Sequence, residues 1–400
     1  MSDLARLEAQ MQGLLVARAA VWPSRDHPSY RALMRRLDEY AQAVGAAAAS
    51  RKTPSLDENL QSAAVAFQDY PVFIVGYYKS GTSLLRNLLD GHPELVVLPS
   101  EGRYFSLFVP RFRHLSKGEQ VAKLSAIWIK RLVCPTGQPP FWLLGRTPEN
   151  GRCPYVGFVQ YLRAWARWVH GYGNGDLLLA LMLTYYAVSS YMAGGTGRPC
   201  HWVEKTPTNE FRVGEMLACF PRARFVHIVR DPRAVVSARQ SMEDKKAEAP
   251  HHLLADLYAV RRSLSAGWGN MAKLGGERYH LLKYEDLVQE PERVMTHLAD
   301  FMGIEFTEAL LVPTECGRAA VANSAYDQGR SVGDIHRMSL ERYKEQLSAE
   351  ELALTAGLTG RQARLYGYTL PAPRLQDLAR GLLRSGAFTM RHQIAKLWRS

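Results

Sequence analysis

The stretch PVFIVGYYKSGTSLLRNLLD, residues 71–90, predicts a β-strand, a glycine-bounded loop and a helix in immediate succession. Residues 71–75 form an apolar, partly β-branched run that is typical of a buried strand. The residues after Ser83 place leucines at helical spacing until Gly91 and Pro93 end the pattern. Such a unit directs backbone N–H groups and the positive end of a helix dipole toward one point, so it predicts a phosphate-binding loop.

The loop carries the residue types that an anion site needs. Gly76 and Gly81 allow a close approach of the backbone, Lys79 adds a positive charge, and Thr82 and Ser83 add hydroxyl donors. It is not a Walker A loop, because Thr82 stands where an NTPase has its lysine. The lysine lies two residues before the second glycine instead, away from the end of the phosphate chain that an NTPase grips. The alternative interpretation is an ordinary glycine-containing turn between a strand and a helix.

Further apolar runs predict four more strands, and helical patterns separate them. The runs are VVLP (96–99), HWVEK (201–205), RFVHIV (224–229) and YHLLKY (279–284), and the helical patterns include 232–243, 252–274 and 290–302. This alternation predicts an α/β chain with a three-layer P-loop-type fold, in which helices flank a central parallel sheet. We expect a helical N-terminal extension over residues 1–60, a main domain over 70–370 and a basic amphipathic tail over 371–400.

The charge of the chain indicates anionic partners. The 400 residues include 50 Lys and Arg against 38 Asp and Glu, a net charge of +12. Residues 101–170 carry eleven Lys and Arg against three Glu, and the last thirty residues carry six against one Asp. The composition excludes a disordered, collagenous or coiled-coil chain. The basic surplus favours nucleotide phosphates, acidic substrates, nucleic acid or an anionic membrane surface as ligands.

The cysteines and the apolar runs predict a cytoplasmic protein. Five scattered cysteines without C-x-x-C spacing favour a reduced compartment and no zinc, and no His, Asp and Cys cluster has the spacing of a metal site. The N-terminus lacks the apolar core of a signal peptide. The uncharged run 177–193 is short for a membrane span and contains serine, threonine and tyrosine, so we expect a buried helix there.

Two segments resemble sulfotransferases that use 3′-phosphoadenosine-5′-phosphosulfate (PAPS). YKSGTSL (78–84) is similar to the family's P-[KR]-S-G-T-[ST]-L loop for the 5′-phosphosulfate, with Tyr78 in place of proline. FVHIVRDPRAVVS (225–237) resembles the strand, R-D-P-R and serine that bind the 3′-phosphate. The family serine follows the first arginine by eight residues, whereas Ser237 follows Arg230 by seven, so it is about 100° displaced on a helix.

Two later segments agree with this resemblance, which covers roughly residues 70–370. KYEDL (283–287) is similar to a family segment whose tyrosine lies near the nucleotide, and GRSVGDIHR (329–337) is a partial match to the segment that closes over the 3′-phosphate. The implied PAPS-binding residues are Lys79, Ser80, Gly81, Thr82, Ser83, Arg230, Ser237, Tyr284 and Arg330.

Sulfuryl transfer requires a base, cations at the leaving oxygen and an in-line arrangement. Lys79 is expected to stabilise the bridging oxygen. Lys205, in VEKTPTN, resembles the second lysine of tyrosylprotein-type and related bacterial sulfotransferases, which implies that it stabilises charge on the opposite side of the sulfuryl group, so that no metal is required. The resemblance implies that Glu101 is the base, because Glu101-Gly102-Arg103 is similar to the Glu-x-Arg of tyrosylprotein sulfotransferases. The alternatives are that Glu101 pairs with Arg103 or caps a helix, and that Lys205 is a surface residue.

Two other residues are reserve candidates for the base. His92 is attractive because small-molecule sulfotransferases use histidine, but its place at the end of the first predicted helix favours a capping or packing role. Glu204 directly precedes Lys205 and could serve in place of Glu101.

The expected function is transfer of a sulfuryl group from PAPS to a hydroxyl or amine of a glycan, lipid or phenolic acceptor, leaving 3′-phosphoadenosine-5′-phosphate. The acceptor is expected to meet the basic, aromatic region within about 101–200. The alternatives are a P-loop kinase or NTPase-like phosphotransferase and a non-enzymatic binder of anionic membranes or nucleic acid. The first function predicts no nucleic-acid partner. The tail either lies on an anionic membrane, at its inner face, or docks on the main domain.

Overall fold

The computed structural model of the protein describes residues 3–20, 27–135, 139–148, 150–189, 198–244, 253–320, 333–337 and 340–385. The N-terminal half holds α1 (Asp3–Ala20), α2 (Pro28–Ala49), α3 (Glu58–Phe67), β1 (Pro71–Val75), α4 (Thr82–Leu89), β2 (Leu95–Val97), a π-helix (Tyr104–Phe108), α5 (Val109–Phe112), α6 (Lys117–Val133), α7 (Pro154–Trp168) and α8 (Asp176–Val188). The C-terminal half holds β3 (His201–Lys205), α9 (Val213–Cys219), β4 (Arg224–Val229), α10 (Pro232–Asp244), α11 (Leu253–Leu274), β5 (Tyr279–Lys283), α12 (Tyr284–Gln289), α13 (Pro291–Met302), β6 (Thr314–Glu315), β7 (Arg318–Ala319), α14 (Tyr343–Gln346), α15 (Ala349–Arg364) and α16 (375–385).

Within these ranges a five-stranded parallel sheet has the order β2-β3-β1-β4-β5. The chain leaves β1 toward one side of the sheet and later returns to its other side, so a topological switch point lies at the carboxyl end of β1. Ligands of open α/β sheets bind at such a point. Phe73 pairs with Glu204 and Ile74 with Lys205, so the ends of β1 and β3 lie side by side.

Helices cover both faces of the sheet. Successive side chains of a strand point to opposite faces, so alternate residues of β1 pack against different helices. Phe73 and Val75 contribute to a core shared with α1–α3 and α6–α8. Val72 and Ile74 contribute to a second core with α4, α12 and α13. The predicted three-layer fold is therefore confirmed, as are the strand and helix assignments from which it was inferred. The uncharged run is also a buried helix, α8, as far as Val188.

The N-terminal helices belong to the same core as the sheet. Tyr40 of α2 is fully buried and packs edge-on against Trp142 and Tyr155. Its hydroxyl donates to Glu8 Oε1 at 2.7 Å, and Glu8 also accepts from the hydroxyl of Thr147 at 2.7 Å. α1 and α2 are thus joined to the region around residue 147 by packing and by a buried carboxylate.

The aromatic residues expected near an acceptor mostly pack in this core. Trp142, Trp165, Tyr155, Tyr104 and Phe105 are each exposed by 5% or less. Their role in the structure is therefore to fill the space between the helices and the sheet.

Candidate active site

The loop after β1 is built around two glycines with positive φ. A Cβ on Gly76 (φ +133°) would lie 2.4 Å from the carbonyl oxygen of Ile228, so β4 approaches too closely for any side chain there. The N–H of Gly76 donates to Glu210 Oε2 at 3.1 Å. Lys79 also has a left-handed backbone (φ +68°). The chain therefore turns sharply between β1 and α4, and the N-terminus of α4 begins at Thr82.

Tyr284 and Arg230 lie against this loop from the neighbouring strand ends. A Cβ on Gly81 (φ +102°) would lie 2.3 Å from Tyr284 Cδ2. The guanidinium of Arg230 stacks on the Tyr284 ring at 4.3 Å, and its Nη1 donates to the carbonyl oxygen of Lys79 at 3.0 Å. The ends of β1, β4 and β5 thus bring together residues from three separate motifs, of which the first, Lys79, and the last, Tyr284, are 205 positions apart in the sequence.

Lys205, at the end of β3, connects the loop with Glu101. Its Nζ donates to Glu101 Oε1 at 3.0 Å and to Ser83 Oγ at 3.2 Å. The Lys205 side chain is 2% exposed, whereas that of Glu101 is 33% exposed. Lys205 is therefore a buried ammonium, not a surface residue, and Glu101 pairs with it while remaining accessible from one side.

Burial and neighbouring charges act against each other on this pair. Burial alone would raise the pKa of Glu101, but Lys205, Arg103 and Arg131 outweigh it and hold that pKa below its usual value. Burial lowers the pKa of Lys205, and the adjacent Glu101 opposes this effect. The site therefore holds an ionised carboxylate at neutral pH, next to a cation that is largely shielded from water.

The turn that carries Glu101 is bound by three further residues. Glu204 Oε1 accepts from the N–H of Gly102 at 2.9 Å, and the Thr206 hydroxyl accepts from the N–H of Arg103 at 2.7 Å. Arg131 Nη1 of α6 donates to the carbonyl oxygens of Glu101 and Gly102. Glu204 is 1% exposed, and burial raises its pKa to about 7.

Other predicted residues lie elsewhere or outside the described residues. Ser237 is buried on α10, where its hydroxyl donates to Gln346 Oε1 at 2.5 Å. His92 is buried, and its Nε2 contacts the carbonyl oxygen of Glu305 at 2.9 Å, which is a packing role. Ser80 and Thr82 are buried within the loop itself. Arg330 is not among the described residues.

Sequence comparison identifies the family. The family model described as the sulfotransferase family matches residues 71–308, which is more than half of the chain. The chain belongs to the sulfotransferase family. This membership confirms the resemblance inferred from the loop motifs, and it favours a sulfotransferase over the phosphotransferase and non-enzymatic alternatives.

Two curated sulfotransferases are similar to this chain. It is 31% identical over 283 residues to the omega-hydroxy-beta-dihydromenaquinone-9 sulfotransferase Stf3 of Mycobacterium bovis, and equally to that of Mycobacterium tuberculosis. Each match covers 61% of this chain and 65% of the relative. The chain therefore spans slightly less than two thirds of the length of these relatives.

Solved sulfotransferase structures resemble the fold more distantly. The sulfotransferase domain of the Synechococcus PCC 7002 olefin synthase is 19% identical with a TM-score of 0.45, over 76% of this chain and 96% of that domain. Sulfotransferase STF9 from Mycobacterium avium is 15% identical with a TM-score of 0.43, over 93% of this chain and 97% of its own.

Sequence reasoning missed three residues that bind the backbone of the candidate site, because each of them is distant in sequence from the segment that it binds. Arg131 lies 30 residues after Glu101 inside a helix, where a lysine or arginine normally indicates a solvated face. Glu210 and Thr206 follow β3, and their contacts are made with backbone N–H groups of other loops. The position of Thr206 and Glu210 just after a parallel strand was the available signal, since such positions face a binding edge.

Among the described residues, no helix combines the length and the apolarity needed to cross a bilayer. Within the same ranges, no three His, Cys, Asp or Glu side chains are grouped as metal ligands.

Proposed function

We propose that this protein transfers a sulfuryl group from PAPS to a hydroxyl group of a lipid acceptor. The observation that carries the proposal is the cluster at the sheet edge: the Glu101 carboxylate contacts the Lys205 ammonium, and that ammonium contacts Ser83 of the glycine loop. A candidate base, a cation and a candidate phosphate-binding loop are thus in contact with one another through Lys205. Family membership supports the same reaction class.

The residues at the loop fit an anionic nucleotide. The N-terminus of α4, the hydroxyls of Ser80, Thr82 and Ser83 and the cations Lys79 and Arg230 are groups that can donate hydrogen bonds to phosphate oxygens. Because Gly81 carries no side chain, the Tyr284 ring can lie directly against the backbone of the loop. We assign the 5′-phosphosulfate to residues 79–83 and the 3′-phosphate to Arg230.

The bound donor supplies an electrophilic sulfur and a phosphate leaving group. Glu101 takes the proton of the acceptor hydroxyl, and the acceptor oxygen forms the new S–O bond as the S–O bond to phosphate breaks. Lys79 and Lys205 stabilise the negative charge that develops on the leaving phosphate oxygen. No proton needs to be transferred to that oxygen, because 3′-phosphoadenosine-5′-phosphate leaves as a stable anion.

The acceptor class is proposed from the curated relatives, which act on a hydroxylated menaquinone lipid by name. The structure adds an exposed apolar surface at the C-terminal end of the described chain. On α16, Leu375, Leu382 and Leu383 are 83%, 46% and 73% exposed, while Leu378, one turn from both Leu375 and Leu382, packs against the core beside α15. Arg380 and Arg384 flank the exposed leucines. We therefore propose that α16 contacts an anionic membrane that holds the acceptor.

Incubation with ³⁵S-labelled PAPS and a lipid extract of the host cells tests the proposed reaction. We expect a labelled lipid with wild-type protein and no label with Glu101→Gln. Parallel incubations with glycan and peptide extracts distinguish the acceptor classes. Label in those fractions alone would overturn the lipid acceptor. No label in any fraction, from protein that binds 3′-phosphoadenosine-5′-phosphate, would overturn the reaction.

A further inference from the structure

The peptide group between Glu101 and Gly102 is bound at both of its polar ends. Glu204 Oε1 accepts from its N–H at 2.9 Å, and Arg131 Nη1 donates to its carbonyl oxygen. The two side chains come from different elements, β3 and α6, and reach the peptide from opposite directions along the N–H and C=O bonds. Neither Glu204 nor Arg131 was assigned this role from the sequence.

Several observations indicate that this turn requires external support. Arg103 has a left-handed backbone (φ +48°), which costs about 1 kcal/mol or more for a residue with a Cβ. A Cβ on Gly102 would lie 2.3 Å from Glu204 Oε1, so only glycine allows the carboxylate to approach this closely. Thr206 links Glu204 to the turn, since its hydroxyl donates to Glu204 Oε1 and accepts from the N–H of Arg103.

We propose that Glu204 and Arg131 are positioning residues for Glu101, because they clamp the Glu101–Gly102 peptide and thereby hold the Glu101 carboxylate against the Lys205 ammonium. This inference rests on the proposed function only for the role of Glu101 as base. The clamp and the cation that pairs with the base lie on successive residues of β3, since Glu204 binds the Gly102 N–H and Lys205 binds the Glu101 carboxylate. A displacement of about 1 Å at a reacting group can cost roughly 10²-fold in rate.

Protonation does not remove the clamp at low pH. Burial raises the pKa of Glu204 to about 7, and a protonated carboxyl still offers one oxygen to the Gly102 N–H. In the acidic range where Glu101 titrates, Glu204 is therefore neutral, and its loss removes a hydrogen bond without removing a charge. The titratable or charged groups that face Glu101 are Lys205 and Glu204 of β3, Arg131 of α6, Arg103 of the turn and Tyr78 of the loop after β1.

Three variants separate positioning from a general loss of structure. Glu204→Ala removes the acceptor, Glu204→Gln keeps an oxygen for the Gly102 N–H, and Glu210→Ala is a matched control. Glu210 is equally buried and also accepts from a backbone N–H, but from that of Gly76 in the loop after β1. We expect Glu204→Ala to lower kcat about 10²-fold with little change in the affinity for 3′-phosphoadenosine-5′-phosphate, and Glu210→Ala to weaken that affinity instead. Glu204→Gln should restore most of the lost rate.

A ¹³C NMR titration of the Glu101 carboxyl tests the clamp without turnover. In Glu204→Ala we expect the pKa of Glu101 to rise, because the carboxylate no longer rests on Lys205, whereas Glu204→Gln should leave it unchanged. An unchanged pKa of Glu101 in Glu204→Ala, or an equal loss of kcat in the alanine and glutamine variants, would overturn the positioning role. If Glu204→Ala shows the expected pKa change but the wild-type protein transfers no sulfuryl group, the clamp is supported and the proposed function is overturned.

Discussion

Replacing Lys205 with methionine removes the ammonium group of the candidate site while it keeps an unbranched side chain of similar length. Lys205 Nζ donates to Glu101 Oε1 at 3.0 Å and to Ser83 Oγ at 3.2 Å, and the side chain is 2% exposed. The flexible methionine side chain can fill the space that the lysine side chain occupies, without leaving a large cavity. The variant therefore isolates the contribution of the charge.

The expected effect on catalysis follows from those two contacts. Loss of one preorganised donor at a developing negative charge costs about 10²–10³-fold in kcat. We expect Lys205→Met to fall in this range, with a smaller change in nucleotide affinity because Arg230 and the loop backbone remain. Glu101 also loses its nearest cation, so its pKa rises. The acidic limb of the pH–rate profile should therefore move to higher pH.

Lys205→Met is not expected to lower the free energy of unfolding, as the loss of an ion pair normally would. Burial lowers the pKa of Lys205 in the folded chain, so the ionised lysine destabilises the fold at pH values below its unfolded pKa. Methionine removes that cost, and the partly exposed Glu101 keeps Arg103 and Arg131 nearby. We expect the free energy of unfolding in urea at neutral pH to stay within about 1 kcal/mol of wild type, or to rise.

Steady-state kinetics with labelled donor, calorimetric titration and urea unfolding together check this expectation. Lys123→Met is the matched control, because Lys123 is an exposed lysine of α6. It should leave kcat within about threefold of wild type. A Lys205→Met protein with a similarly small change and an unmoved acidic limb would refute the role given to Lys205.

Three further expectations concern the loop, α10 and α16. Gly81→Ala forces a Cβ to within 2.3 Å of the Tyr284 ring at φ +102°, so calorimetry should show the affinity for 3′-phosphoadenosine-5′-phosphate reduced at least about tenfold. If Ser237 binds the 3′-phosphate, Ser237→Ala should weaken that nucleotide roughly tenfold and leave adenosine 5′-phosphate unaffected; equal effects on both would exclude the assignment. Glutamate at both Leu375 and Leu383 should lower binding to phosphatidylglycerol vesicles in sedimentation by more than about tenfold, and undiminished binding would remove α16 from the membrane contact.

The elements of the fold could be predicted because their signals are local. Apolar runs of four to six residues marked all five strands of the sheet, and helical spacing marked α10, α11 and α13 within about two residues of their ends. The strand order β2-β3-β1-β4-β5 was not predicted, since parallel strands are joined by long connections and the sequence carries no direct record of which strands pair.

The attachment of the N-terminal helices was also not predictable from the sequence. Glu8 lies close to Asp3 and Arg6 in a predicted helix, where a carboxylate normally indicates a solvated face. In the structure it is 1% exposed and accepts from Tyr40 and Thr147. Its burial depends on partners 32 and 139 residues away, and local patterns contain no information about such contacts.

The residues of the candidate site were likewise predicted only in part. The residues at the ends of the strands, such as Lys79, Lys205 and Arg230, were found because each follows an apolar run and matches a spaced motif. The geometry among them, and the role of Arg131, came only from the structure, because these depend on which strand ends and helices become neighbours. Glu204 illustrates the limit most clearly, since the sequence suggested a reserve base and the structure shows a buried acceptor for the Gly102 N–H.

Binding of 3′-phosphoadenosine-5′-phosphate, compared with adenosine 5′-phosphate, tests most directly whether the loop after β1 and Arg230 hold one nucleotide. Two charge-assisted hydrogen bonds to a 3′-phosphate are worth about 3 kcal/mol, so we expect the doubly phosphorylated nucleotide to bind roughly 100-fold more tightly to wild-type protein. Arg230→Ala should abolish most of this preference. Equal affinities in the wild type, or a preference that survives Arg230→Ala intact, would contradict the assignment.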